Sequence, residues 1–142
     1  TLLKNPHGRS QFRQIFIMYC AVRQMNDDIH DWEEDLANGH ITYVVAHLLN
    51  TTGTKSGSYK LTYLTAILKK ALWETELEEL LNKCLKMALR AREEYVTTLN
   101  LAENSEFDTI TIGRIITSLQ QALKQHRYDK EFIQLSRVVE AN

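Results

Sequence analysis

The apolar residues of this chain recur at helical spacing almost from end to end. Between Ser10 and Leu36 the positions Ile15, Met18, Val22, Met25, Ile29, Trp32 and Leu36 step alternately by three and four. That is the period of one face of an α-helix, and it excludes a strand, whose faces alternate by two. Ser10 is a candidate N-cap, and Asn38-Gly39 supplies a stop, because Gly adopts the left-handed conformation without strain. Such a helix would be roughly 40 Å long. Every residue from Ile15 to Val22 is apolar, which predicts burial on all sides and a central place in a bundle.

The remaining segments repeat the pattern. A short helix is expected over about Thr42–Leu49, followed by a polar, Gly-containing loop at 50–58. From Tyr59 to about Leu101 a helix is carried by Leu61, Leu64, Leu68 and Leu72, then by Leu77, Leu80, Leu81, Leu85 and Leu89. The spacing slips near Trp73–Thr75, which predicts a break there. After a loop at 102–108, Asp108 is a candidate cap for a helix to about Gln125, and a last helix spans about Asp129–Val139. Pro6 falls outside all of these, and no internal repeat occurs. The expectation is an all-α helical bundle, a single domain over 1–142 that is part of a longer chain.

Charge limits the function classes. With 142 residues the chain can bury a core, but its formal net charge of −1 provides no global field for nucleic acid or an anionic membrane. The Ile15–Val22 run is about a third of a membrane span. No secretory leader is visible, and a cytoplasmic location is expected. Cys20 and Cys84 lie in apolar helical runs and are expected to be small buried hydrophobes. Tyr19, Trp32 and Trp73 are expected in the core or at helix contacts.

One segment is chemically distinct. Six of the nine residues from Asp27 to Asp35 are carboxylates. On a helix Gln24, Asp27, Asp31 and Glu34 or Asp35 share a stripe opposite Met25, Ile29 and Leu36, with Asp28 and Asp35 at its border. Asp is a poor helix former, so its concentration here needs a reason beyond helix stability. Hard carboxylate oxygens suit Mg²⁺, which takes one or two carboxylates together with water and phosphate oxygens. The bland counterpart is a solvated acidic helix face.

The string Gln24, Asp27, Asp28, Asp31 resembles the second aspartate-rich motif of trans-prenyl diphosphate synthases. Gln24, Asp31, Glu34, Asp35 and Gly39 resemble the corresponding motif of squalene and phytoene synthases. The resemblance is therefore to the class I isoprenoid (terpenoid) synthase superfamily, and it covers Phe12 to Tyr43. It implies Mg²⁺ as cofactor, with Asp27, Asp28, Asp31 and Asp35 as metal ligands and Asp27 and Asp31 foremost. A prenyl diphosphate would be the substrate, with Gln24 orienting a ligand or the substrate, and His40, Tyr43, Lys55 and Lys60 could reach a diphosphate held at the acidic stripe. The family's first acidic motif has no counterpart among Glu74, Glu76, Glu78-Glu79, Glu93-Glu94 and Asp108. The chain is thus expected to be the C-terminal half of such an enzyme, inactive without an N-terminal half or partner chain. The alternative is a non-catalytic helical interaction domain with an acidic surface.

Other motifs lead to surface readings. His30-Asp31 is an HD dipeptide without matching histidines at His7, His40, His47 or His126. Glu78-Glu79 and Glu93-Glu94 resemble the acid pairs of all-α nucleotide pyrophosphohydrolases but are expected to be solvated faces, with Lys86, Arg90 and Arg92 as surface partners.

Overall fold

The computed structural model describes residues 6–54, 60–99, 106 and 110–140. Helix α1 spans Pro6–Ala37, α2 Tyr43–Thr51 and α3 Leu61–Ala71. A π-helical turn at Leu72–Glu76 leads into α4, Leu77–Leu99, and α5 spans Ile112–Glu140. No strand occurs among the described residues, and the architecture is an all-α bundle. None of these helices is long and apolar enough to cross a membrane.

The ends of α1 follow from local chemistry. The helix is already formed at Pro6, so Ser10 is an interior residue and not its cap. At the other end Gly39 has φ +75°. The Gly39 N–H donates to the Leu36 carbonyl at 3.1 Å and the His40 N–H to the Asp35 carbonyl at 2.8 Å. This pair of bonds is a Schellman stop, as expected for Asn38-Gly39. Thr42 then caps α2 by accepting from the Val45 N–H at 3.5 Å.

The slip in leucine spacing has a defined geometry. From Leu72 to Leu77 the step is five, and the Leu77 N–H donates to the Leu72 carbonyl. The helix does not break there; it inserts one π turn and keeps Leu64, Leu68, Leu72, Leu80 and Leu81 in one core. Beyond it the buried positions are Cys84, Ala88, Ala91 and Tyr95, while Leu61 and Leu89 are exposed.

The two helices expected near the C-terminus are one. Residues 126–128 contain neither Gly nor Pro. The buried stripe Ile112, Ile116, Leu119, Leu123 and His126 steps by three and four straight through the expected gap. The proposed cap Asp108 lies outside the described residues.

Helix α4 packs along both α1 and α5. It runs antiparallel to α1: Cys84 lies against Val22, whereas Ala91 and Tyr95 meet Phe12, Ile15, Phe16 and Tyr19. The Cys84 Sγ–H donates to the Val22 carbonyl at 3.6 Å, and burial pushes this thiol up to about 11. Helix α2 follows the Gly39 turn, and α3 is tied to α1 by Lys69–Glu33 at 2.8 Å, so both lie at the C-terminal half of α1.

The N-terminal half of α1 has no such cover among the described residues. Ile15 and Val22 are buried, but Phe16 and Ile17 are 57% and 54% exposed, and Cys20 and Ala21 are exposed as well. The expected all-round burial of Ile15–Val22 is therefore incorrect, as is the expected burial of Cys20. Of the aromatic residues, Trp32 is buried, Tyr19 is half-buried and Trp73 is 38% exposed.

Leu68 is fully buried. Leu68→Ala is expected to lower unfolding stability by about 2–5 kcal/mol in urea titrations. Gly39→Ala, with open space around the new Cβ but an unfavourable φ, should cost about 1–2 kcal/mol.

Candidate acidic site on helix α1

The acidic segment occupies the last three turns of α1, where the core stripe Met25, Ile29, Trp32 and Leu36 fixes its rotation. Gln24, Asp27, Asp31 and Glu34 face outward, Asp35 is half-buried, and Asp28 is buried at 6% exposure. Asp27 and Asp28 thus part company. One residue of helix rotation, about 100°, carries Asp28 to the edge of the core. There the Gln24 Nε2 donates to Asp28 Oδ1 at 2.7 Å. Gln24 therefore orients the Asp28 carboxylate.

The exposed acids are loosely held. Arg23 Nε lies 3.9 Å from Asp27 Oδ2 with both side chains mostly in solvent, an interaction worth little. His40 Nδ1 is 3.7 Å from Asp35 Oδ1. Asp31 and Glu34 have no side-chain hydrogen bond or ion pair among the described residues. Asp27, Asp31 and Asp35 follow one another at spacings of four, and each such like-charge pair opposes the helix by a few tenths of a kcal/mol.

Continued toward the N-terminus, the same face changes character. Gln24 is preceded at spacings of three and four by Ala21, Cys20 and Ile17, all exposed. One side of α1 therefore presents an apolar surface that runs into carboxylates. All-round burial of Ile15–Val22 would have left no free apolar face here; the exposure of Ile17, Cys20 and Ala21 provides one.

The remaining candidate residues lie elsewhere. Tyr43, at the start of α2, is 46% exposed, and its hydroxyl accepts a hydrogen bond from Lys83 of α4. The Lys83 ammonium also lies 4.6 Å from the Tyr43 ring centroid. Lys60 is exposed at the start of α3, and Lys55 lies outside the described residues. Next to Tyr43, His47 stacks on its ring at 6.1 Å, and the His47 Nε2–H donates to Glu76 Oε2 at 2.7 Å. Glu76 belongs to the π turn, and its other oxygen accepts from the Thr75 hydroxyl at 2.9 Å. Lys83, His47 and Glu76 were not singled out from sequence, although the slip between Leu72 and Leu77 marked the turn that aims Glu76.

Among the described residues no three His, Cys, Asp or Glu side chains converge as a metal cage. Asp27 and Asp31, the foremost expected ligands, both face outward one helical turn apart on α1. Two hard oxygen ligands fit an ion that keeps several waters and completes its shell with phosphate oxygens. Comparison with protein-family models, with curated proteins and with solved structures gives no match.

The two adjacent aspartates should differ in stability assays. Asp28→Ala removes a buried carboxylate and its hydrogen bond from the exposed Gln24 amide, and should destabilise the fold by about 0.5–1.5 kcal/mol. Asp31→Ala removes an unpaired exposed charge and should change stability by less than about 0.5 kcal/mol, with urea denaturation as the readout.

Proposed function

We propose that this chain supplies the Mg²⁺- and diphosphate-binding wall of an isoprenoid synthase-like enzyme acting on allylic prenyl diphosphates. The observation that carries the reading is the single face of α1 on which the exposed apolar positions Ile17, Cys20 and Ala21 lead into Gln24, Asp27 and Asp31. A prenyl diphosphate has the same polarity along its length, a hydrocarbon tail ending in a highly charged group. Asp27 and Asp31 would hold the cation, with Asp28 and Asp35 behind them and Gln24 fixing Asp28. Bound there, Mg²⁺ would neutralise charge on a departing diphosphate. Ile17 and Ala21 would line the path of the tail and keep water from it. A facing wall, from a further segment or a partner chain, is needed to enclose the site, so the chain alone should not turn over such a substrate.

A second reading, a helical interaction domain, is favoured by a different feature. Phe12, Phe16, Tyr19, Tyr95 and Ile112 line an apolar groove of about 270 Å³ between α1, α4 and α5, of the kind that marks an interaction surface.

Calorimetry separates the two readings. Mg²⁺ alone should bind weakly, and inorganic diphosphate should strengthen the binding. Asp27→Asn combined with Asp31→Asn should abolish the diphosphate-dependent part. Farnesyl diphosphate should bind roughly tenfold or more tighter than inorganic diphosphate, an advantage lost in Ile17→Asp. Unchanged metal–diphosphate binding by the double variant contradicts the enzyme reading.

A further inference from the structure

We propose that His126 is an acid-sensitive latch that holds the C-terminal half of α5 against the π turn. His126 is 3% exposed, and its ring stands edge-on to Trp73 at 4.8 Å between centroids and 90° between planes. Trp73 belongs to the π turn, so this contact joins α5 to the irregular part of the α3–α4 rod. Two polar clasps flank it. The Arg127 guanidinium donates to Glu78 Oε1 at 2.7 Å, and Lys130 Nζ donates to the Glu74 carbonyl at 3.0 Å.

His126 Nδ1 is buried and has no hydrogen-bond partner. A neutral imidazole tolerates this with its Nδ1 lone pair unused. A proton added there would create a buried charge and a donor with nothing to receive it. The charged groups acting on the ring are Lys130 and Asp129 of α5 and Glu78 of α4. Burial, reinforced by Lys130, lowers the affinity of this imidazole for a proton, and Glu78 and Asp129 oppose that only in part.

The direction of the pH effect follows. The docked ring binds a proton less readily than a free one, so docking is fully favoured above the ordinary histidine value of about 6.5. Below it the undocked form takes up a proton that the docked form refuses. Undocking then gains up to about tenfold per pH unit until the docked value is reached. Leu123 and Leu119 lie on the N-terminal side of His126 in the same core stripe. Opening is thus confined to the residues after His126, where Tyr128 and Phe132 are already exposed.

The test is amide hydrogen exchange on the full chain from about pH 7.5 to about pH 5.5, corrected for intrinsic rates. Protection at 127–134 should fall up to about tenfold per unit below pH 6.5, while protection across 80–91 should not change. In His126→Phe, which keeps a ring against Trp73, protection at 127–134 should be independent of pH. Equal pH dependence in the wild type and in His126→Phe overturns the latch. Should that variant fail to fold, NMR titration of the His126 ring in the wild-type chain decides. A value below 6.5 supports the latch, and a value at or above it overturns it.

Discussion

The seam between α1 and α4 is the contact on which the other features depend. Val22 and Ile15 of α1 meet Cys84 and Ala91 of α4, and the short side chains at Cys84, Ala88 and Ala91 let the two helices approach closely. That seam uses Ile15 and Val22, and together with the buried Met25 and Ile29 it fixes the rotation of α1 about its own axis. Once the rotation is fixed, Asp28 turns to the edge of the core while Asp27 and Asp31 point outward. Rotating α1 by one residue would bury Asp27's neighbours and break the core, so the acidic face follows from the apolar one.

The same seam explains why the polar links sit where they do. Helix α4 continues α3 through the π turn, which inserts one residue relative to an α-helix and shifts the facing of everything beyond it. The turn directs Glu76 to His47 of α2 and Trp73 to His126 of α5. A single irregularity in a long helical rod therefore receives contacts from two other helices.

Much of the fold was legible in the sequence because helical period and stop signals are local. The α1 stripe, the Gly39 stop and the slip after Leu72 could all be read from neighbouring residues. Which side of α1 would be covered could not. Ile15–Val22 is apolar on every side, so its composition does not distinguish a central helix from one with a free apolar face. Nor could the continuity of α5 be read, because its charged stretch at 126–131 resembles a loop until His126 is seen to extend the core stripe. At the acidic site the residue types were legible, but the division between Asp27 and Asp28 rests on tertiary rotation. The Tyr43–Lys83 and His47–Glu76 pairs join residues 40 and 29 apart in the chain, and no local pattern announces them.

The proposed function requires that the outward carboxylates of α1 act together on a cation shared with diphosphate. The acids elsewhere on the surface, such as Glu93 and Glu94, give a built-in comparison, since they too are exposed and close in sequence. Mn²⁺, which binds the same oxygen ligands as Mg²⁺, broadens the NMR signals of nuclei near it. Trace Mn²⁺ added with inorganic diphosphate should selectively broaden the amide signals of Gln24 to Asp35. Equal broadening around Glu93 and Glu94, or none that depends on diphosphate, would contradict the proposed function.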